Sequence, residues 1–300
     1  MASKGQKANS RGTGSTSPQK IDDEAVFPRG RKLPTQSPLY WVENKDRLLR
    51  QILIRDIEGL TGRRLGIYFA ERTSPSRINQ GDVDRLYDIV QDLDTEPFDL
   101  IVETRGGETD AAEAMISLLM STKHSFRAIV PNRAKSNGTL LCLAAERLVM
   151  GPTSELGPIE PIVLDEIPAT ALVNFNTNGD RDLDIAKFHA THALEQTKLV
   201  AKRALRHKMC SDINRFDDAS LVTIIDALCG RVKFPSHGSV IDAEQASDLG
   251  LAVTRLDKND EIWNRVWLLY CMLRHDAELR NLQKIFETKK VSIAVLNGIY

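Results

Sequence analysis

The sequence predicts an α/β fold in which helices wrap a parallel β-sheet. Three observations favour it: short apolar runs of strand length recur, segments with helical spacing of apolar residues follow them, and Gly or Pro residues separate the two. Strands that alternate with helices imply right-handed crossovers and a parallel sheet. The 300 residues, 42% hydrophobic and 27% charged, are enough for one large domain or two small ones.

The first part of the chain is expected to be a tail. Residues 1–38 are rich in Ser, Gly, Lys, Gln, Pro and Arg and contain few large apolar side chains. Such a segment buries too little surface to offset the entropy of ordering, so the composition predicts disorder. Ordered structure should begin near Tyr40-Trp41.

The middle of the chain supplies the alternating pattern. A helix is predicted over 44–60, where Thr61-Gly62 ends it. Strands and helices are then expected in turn, because apolar runs alternate with amphipathic segments. The predicted strands cover 64–70, 100–102, 126–130 and 147–150, and the helices between them cover 81–93, 109–120 and 140–145.

Helices dominate the prediction for the last third. Residues 165–183 carry several Asn and Gly residues and should form an exposed loop. The predicted elements after this loop are helices over 183–209, 217–228 and 243–249, a strand over 252–254 and an amphipathic helical stretch over 261–286. We therefore expect a main domain over 39–257 and a C-terminal helical extension over 258–300.

Bulk properties exclude several classes of function. A formal net charge of −1 and a pI near 6.6 give no argument for binding nucleic acid. The four cysteines lack C-x-x-C spacing, so we interpret them as free thiols of a reducing compartment. No apolar window is long enough to span a membrane and no secretory signal begins the sequence, which indicates a cytoplasmic protein. Neither metal-ligand spacing nor a P-loop occurs, so no cofactor is expected.

Two turns carry the residues that suggest chemistry. Gly106-Gly107 follows the strand at 100–102, and Ser136 follows the strand at 126–130, just before the apolar segment 140–145. Sites of parallel sheets lie at the carboxyl ends of strands, where both turns fall. Glycines let backbone N–H groups approach a ligand, and a serine beside such groups has the parts for acyl transfer. The alternative for Ser136 is a plain helix N-cap, and the diglycine could simply end a strand.

The ordered set of motifs over 99–161 resembles a known family. The strand, Gly106-Gly107, Ala134-Lys-Ser-Asn-Gly-Thr139 and Gly151-Pro-Thr-Ser-Glu-Leu-Gly-Pro-Ile-Glu-Pro161 are similar to those of Clp-fold serine proteinases of the serine dehydrogenase proteinase (SDH) family. These are relatives of signal peptide peptidase A and the Clp protease, and the resemblance covers roughly residues 45–255. It implies a Clp/crotonase-type core, a homo-oligomer and an ATP-independent serine peptidase that acts on extended polypeptides.

The resemblance also implies roles for particular residues. Ser136 would be the nucleophile, the N–H groups of Gly107 and Asn137 would form the oxyanion hole, and Gly106-Gly107 would pair with the substrate backbone. Two positions depart from the family pattern. Arg105 stands where Pro is common, which places a cation near the site and predicts a different substrate preference, and Asn137 is bulkier than the usual residue.

The general base is open between lysine and histidine. The segment 154–161 holds no histidine, unlike the Clp protease, so the resemblance favours the lysine of signal peptide peptidases. Lys198 falls within the apolar stripe of the helix at 183–209, with Lys187 inside the same stripe and Lys202 at its edge. All three could also be solvated surface residues. His237, in a His-Gly segment that the family shares, competes for the role, although a turn histidine is often only a surface residue.

Two alternatives to a peptidase remain at this point. A catalytically silent Clp-fold scaffold or peptide-binding protein would explain the absence of an evident base. A crotonase-like enzyme acting on acyl thioesters would use a similar oxyanion hole without a serine nucleophile. Glu155 and Glu160, on either side of Gly157-Pro158, are interpreted as capping or salt-bridge residues rather than catalytic ones.

Overall fold

The computed structural model describes residues 37–72, 76–164 and 167–298. The chain divides into two compact units, residues 1–43 and 44–300. The described part of the first unit contains a short helix, α1 (Pro38–Glu43). The tail predicted over 1–38 lies almost wholly outside the described residues, and its boundary stays a prediction.

The second unit contains the alternating strands and helices that the sequence predicts. Its helices are α2 (Lys45–Thr61), α3 (Gly81–Leu93), α4 (Thr109–Met120), α5 (Asn137–Cys142), α6 (Ala169–Val173), α7 (Arg181–His207), α8 (Asp218–Cys229), α9 (Ala243–Asp248) and α10 (Glu261–Arg280). Its strands are β1 (Arg64–Ala70), β2 (Phe98–Glu103), β3 (Phe126–Val130), β4 (Arg133–Ala134), β5 (Arg147–Met150), β6 (Glu155–Leu156), β7 (Ile162–Val163), β8 (Ile167–Pro168), β9 (Val253–Arg255), β10 (Leu282–Glu287) and β11 (Ser292–Leu296).

One sheet forms the centre of this unit, in the order β11-β10-β1-β2-β3-β5-β9. From β1 to β9 the neighbouring strands are parallel, as predicted. Strand β10 is antiparallel to both β1 and β11. Every residue of β1 and β2 is buried, which is typical of parallel strands covered on both faces. The α/β fold class is confirmed.

The two faces of the sheet carry separate apolar cores. Alternation along β1 directs Ile67 and Phe69 to one face and Tyr68 to the other. The first face packs on α2 and α10, with Ile57 and Leu273 fully buried between them. The second and larger core, with Leu140 at its centre, lies under α3, α4, α5, α7 and α8.

The C-terminal segment differs from the helical extension that was predicted over 258–300. Helix α10 ends at Arg280, and the chain then forms β10 and β11 at the edge of the central sheet. Asn281 ends the helix in a left-handed conformation (φ 53°), and its N–H donates to Ala277 O. Asn is one of the few residues that adopt this conformation readily. The helical interpretation of 281–286 is therefore wrong, and this segment belongs to the core sheet.

Candidate active site

Ser136 lies in a sharp turn between β4 and α5. Its backbone has φ 53° and ψ −122°, a combination that costs free energy in any residue with a Cβ. Ser136 occupies the N-cap position of α5, yet its side chain makes no capping hydrogen bond. The plain N-cap alternative therefore explains neither the strained backbone nor the lack of a capping hydrogen bond from this hydroxyl.

The diglycine turn packs directly on this serine. Gly106 has φ 92°, and a Cβ there would come within 2.8 Å of both Lys135 O and Ser136 Cβ. A Cβ on Gly107 would lie 2.3 Å from the backbone nitrogen of Ile78. Because no side chain fits at either position, glycine is required at both for the two turns to meet.

The backbone of Gly107 is directed toward the serine turn. Ile78 N–H donates to Gly106 O (3.0 Å), and Glu108 N–H donates to Ile78 O (2.9 Å). In such a parallel bridge, the N–H and C=O of Gly107 itself point to the opposite side. The carbonyl on that side accepts a hydrogen bond from Asn137 Nδ2 at 2.7 Å. The N–H of Gly107 makes no hydrogen bond within the described residues and remains available as a donor.

Asn137 connects the two turns with its side chain. Besides Gly107 O, its Nδ2 contacts Thr109 Oγ1 at 3.3 Å. Its backbone N–H, at the first position of α5, has no intrahelical acceptor and no other one in the described part of the chain. The Asn137 amide therefore links the serine turn to the diglycine turn. The N–H groups of Gly107 and Asn137, which have no acceptor among the described residues, thus belong to the two turns that meet at Ser136.

These residues line one cavity of about 350 Å³. The remaining lining comes from segments far apart in the sequence. The residues that line it are Ser76, Arg77, Arg105, Gly106, Gly107, Thr109, Ser136, Asn137, Ile159, Pro161, Ile162, Thr197 and His237. The cavity thus brings together four of the predicted site residues at the two turns and His237.

His237 reaches the cavity from the loop between α8 and α9. An antiparallel bridge between Leu156 and Ile241 anchors this loop next to β6. Lys135, the neighbour of the serine, adds two contacts: its Nζ donates to Leu156 O (2.9 Å) and Ser239 O (3.0 Å). Lys135, next to the serine in sequence, therefore holds the loop that carries His237 in place.

The environment of His237 favours the neutral imidazole. Burial lowers its pKa below the ordinary value of 6.5, and the positive charges of Arg231 and Lys135 act in the same direction, while Glu160 opposes them. Its Nδ1 is buried and has no hydrogen-bond partner among the described residues. Within the cavity lining, His237 is the side chain that can accept a proton near neutral pH.

The predicted lysine base is not at the cavity. Lys198 Nζ lies 2.6 Å from Asp226 Oδ1 of α8 and its side chain is 42% exposed. Lys202 pairs with Asp218 at 3.0 Å, and Lys187 donates to Phe175 O at 3.1 Å. The buried face of α7 is centred on Thr197 and Ala201 instead, so Lys198 lies at its margin. These three side chains are therefore surface groups outside the cavity lining, whereas His237, the competing candidate, belongs to it, and the choice of base stays a prediction.

Three contributors to the site went unnoticed in the sequence. Thr197, a buried polar residue on α7, lines the cavity, and its position on an apolar stripe could have signalled this. No local sequence pattern places Arg77 and Lys135 near the site, because the strand pairings that bring them there join segments distant in the sequence. Glu155 and Glu160 form salt bridges, as expected from the sequence. Glu160 pairs with Arg231 at 3.0 Å, and Glu155 lies 3.4 Å from Lys135 Nζ.

The described ranges contain no group of three or more His, Cys, Asp or Glu residues that could hold a metal ion. Among these same residues, no helix has the length and apolarity needed to cross a bilayer.

Relatives among curated proteins match only part of the chain. The uncharacterized protein MJ0137 of Methanocaldococcus jannaschii is 40% identical over 78 residues, which cover 26% of this chain and 27% of that protein. MJ1495 from the same organism is 32% identical over 88 residues, which cover 29% of this chain and 30% of that protein. The alignments thus span less than a third of either relative.

Solved structures and a family model extend the comparison. ClpP1 from Listeria monocytogenes is 13% identical with a TM-score of 0.43, and a mutant of it is 14% identical with a TM-score of 0.42. Each match covers 71% of this chain and 99% of the other. The model of the ClpP-like SDH-type serine proteinases matches residues 78–263, more than half of the chain and every predicted site residue. The chain therefore belongs to the ClpP-like SDH-type serine proteinase family.

Proposed function

We propose that this chain is a serine endopeptidase that hydrolyses polypeptides through an acyl-enzyme on Ser136. The observation that carries the proposal is the convergence of Ser136, two free backbone N–H groups and His237 on one cavity. Membership of a serine proteinase family supports the same class of reaction. Neither a nucleotide nor a metal enters the mechanism.

The reaction follows from the groups at hand. His237 accepts the proton of the Ser136 hydroxyl as Oγ attacks the carbonyl carbon of the substrate. The carbonyl oxygen becomes negative and accepts hydrogen bonds from the N–H groups of Gly107 and Asn137. His237 then protonates the leaving amine as the peptide bond breaks. Water, deprotonated by the same imidazole, attacks the ester, and the imidazolium returns its proton to Oγ as the acyl product leaves, which restores Ser136 and neutral His237.

Two wider features belong to the proposal. We place the enzyme in a reducing cytoplasm, since its four cysteines are free thiols and three of them are buried. We also carry forward the homo-oligomer implied by the family resemblance. Large apolar side chains exposed around α6 and α7, among them Phe175, Ile185 and Phe188, offer surface for such contacts.

A fluorophosphonate probe tests the nucleophile directly. We expect it to label the wild-type protein and to leave Ser136→Ala unlabelled, because the probe reacts only with an activated serine beside an oxyanion hole. Ser76→Ala is the matched control, since Ser76 lines the same cavity and should not affect labelling. Labelling read by mass spectrometry also identifies the modified residue.

Other outcomes would favour the alternatives. If wild type and Ser136→Ala both stay unlabelled, the silent scaffold is the better interpretation. Tight binding of coenzyme A by the unlabelled protein would favour acyl-thioester chemistry. A label on Ser76 instead of Ser136 would contradict the proposed nucleophile.

The pH dependence of kcat/KM identifies the base. Activity requires neutral His237, so the rate should rise with pH through the pKa of this residue and then level off. Because burial lowers that pKa, we expect the acid limb below pH 6.5 and full activity at neutral pH. His192→Gln, which removes a 59% exposed histidine of α7, should leave the profile unchanged. An acid limb centred above pH 7.5 would indicate a lysine base instead.

A further inference from the structure

The ionisable side chains that line the cavity are all basic. These three residues are Arg77, Arg105 and His237. No Asp or Glu is among the residues that line it. The wall formed by Arg77 and Arg105 adjoins the diglycine turn, whereas Ile159, Pro161 and Ile162 form an apolar wall. A bound peptide would therefore meet positive charge beside the reacting carbonyl.

Neither guanidinium is paired with a carboxylate in the part of the chain that the structure describes. Arg77 and Arg105 are both exposed, and neither forms an ion pair with a described carboxylate. Arg105 Nη1 donates a single hydrogen bond to Arg72 O at 3.2 Å, which orients the side chain without compensating its charge. The acidic side chain nearest in sequence to Arg77 on α3, Asp82, is already bound by Lys284 at 2.7 Å. Both cations are thus free to pair with a ligand.

The backbone of both arginines is held in place, so their side chains start from fixed points at the rim of the cavity. Arg77 precedes Ile78, whose N–H and C=O pair with the diglycine strand, and its own carbonyl accepts from the buried Lys284 Nζ at 2.7 Å. Arg105 precedes Gly106 directly in the turn that packs on Ser136. Guanidinium groups match carboxylates in geometry as well as charge.

We propose that this site selects polypeptides with an acidic side chain close to the scissile bond, bound by Arg77 and Arg105. The inference rests on the proposed function, since it names the substrate class of the same cavity. The apolar wall at Ile159 and Ile162 would accept an uncharged side chain on the other side of the bond. The preferred cleavage site thus combines one carboxylate and one apolar residue.

Matched peptides provide the test. Fluorogenic peptides of one apolar sequence would carry Glu, Gln or Lys at single positions on either side of the scissile bond. We expect kcat/KM to be about tenfold higher for the best Glu peptide than for its Gln counterpart, and lower again for Lys, with the difference mainly in KM. Added NaCl should reduce the preference, because partly exposed charges are screened.

Charge reversal should invert the preference. With Arg105→Glu, and more strongly with Arg77→Glu added, the Lys peptide should become better than the Glu peptide. Arg105→Gln is the milder second variant, expected to abolish the preference without reversing it. Arg181→Glu is the control: Arg181 is exposed at the start of α7, about 24 Å along the helix from Thr197, so the preference should persist.

Binding separates this inference from the proposed function. Fluorescence anisotropy with Ser136→Ala measures peptide affinity without turnover, and tighter binding of the Glu peptide would support the inference even if no peptide were hydrolysed. If the probe labels Ser136 but the Glu, Gln and Lys peptides are cleaved equally, the inference is overturned and the peptidase remains. A preference that survives both Arg77→Glu and Arg105→Glu would overturn it too.

Discussion

Ser136→Ala and His237→Ala are each expected to lower kcat for a good peptide substrate by roughly 10⁴-fold or more. The first variant removes the attacking oxygen. The second leaves the hydroxyl protonated, and a neutral hydroxyl is a weak nucleophile. Steady-state kinetics at saturating peptide, with Ser76→Ala and His192→Gln as controls, measures the loss.

The double variant gives the sharper result. Because a nucleophile and its base act as a unit, removing both should cost no more than removing either one. Lys198→Ala should retain activity, since its side chain pairs with Asp226 away from the cavity. A loss for Lys198→Ala as large as that for His237→Ala would restore the Ser–Lys interpretation. Additive losses for Ser136 and His237 would mean that they do not act on the same proton.

The proposed oxyanion donors, the N–H groups of Gly107 and Asn137, cannot be deleted by substitution, because both belong to the backbone. Their placement depends instead on side-chain geometry: Asn137 Nδ2 holds Gly107 O at 2.7 Å, and the absence of a Cβ on Gly107 permits contact with Ile78. The site is therefore built from the close approach of two turns, and the chemistry depends on backbone that only glycine can supply at one of them.

The sequence was most informative where the signal is local. Strands β1, β2 and β3 were predicted close to their observed bounds, because each is a short apolar run closed by a turn. The diglycine and Ser136 could be placed at strand ends from sequence order alone. A parallel sheet brings the carboxyl ends of adjacent strands together. The proximity of the two turns could therefore be predicted from the order of the strands.

The proposed base, His237, was less predictable because its position depends on pairings between segments that are distant in the sequence. His237 reaches the cavity through contacts of Lys135 with Ser239 and of Leu156 with Ile241, and no local pattern reveals either. The predicted apolar stripe of α7 was centred one position away from the observed buried face. The prediction therefore placed Lys198 on the buried side of the helix. The buried face runs through Thr197, and a polar residue there weakened the pattern.

The C-terminal strands show a second kind of error. Leu282, Ile285 and Phe286 continue the apolar spacing of α10, and over a short run this spacing does not distinguish a helix from a strand that is buried on both faces. Asn281 was the available signal, since Asn is favoured in the left-handed position that ends a helix. Once the helix ends there, the remaining residues pair with β1 and cover its edge.

Lys284→Met in β10 is expected to lower the free energy of unfolding by about 3–5 kcal/mol. Lys284 Nζ lies 2.7 Å from Asp82 Oδ1 and 2.8 Å from Oδ2, and both side chains are at most 1% exposed. Methionine fills a similar volume but leaves the Asp82 carboxylate buried with only the Tyr68 hydroxyl, at 3.0 Å, as a side-chain donor. Urea unfolding followed by circular dichroism measures the change.

Two variants make this prediction specific. Lys290→Met removes a lysine that is 63% exposed and pairs with Asp92 at the surface, so it should cost less than about 1 kcal/mol. Adding Asp82→Asn to Lys284→Met removes the stranded charge while keeping an acceptor for Tyr68, so it should recover part of the loss. If Lys284→Met were as mild as Lys290→Met, the buried pair would not hold the C-terminal hairpin to the core. Because Lys284 also binds Arg77 O, its loss should weaken the binding of acidic peptides as well as the fold.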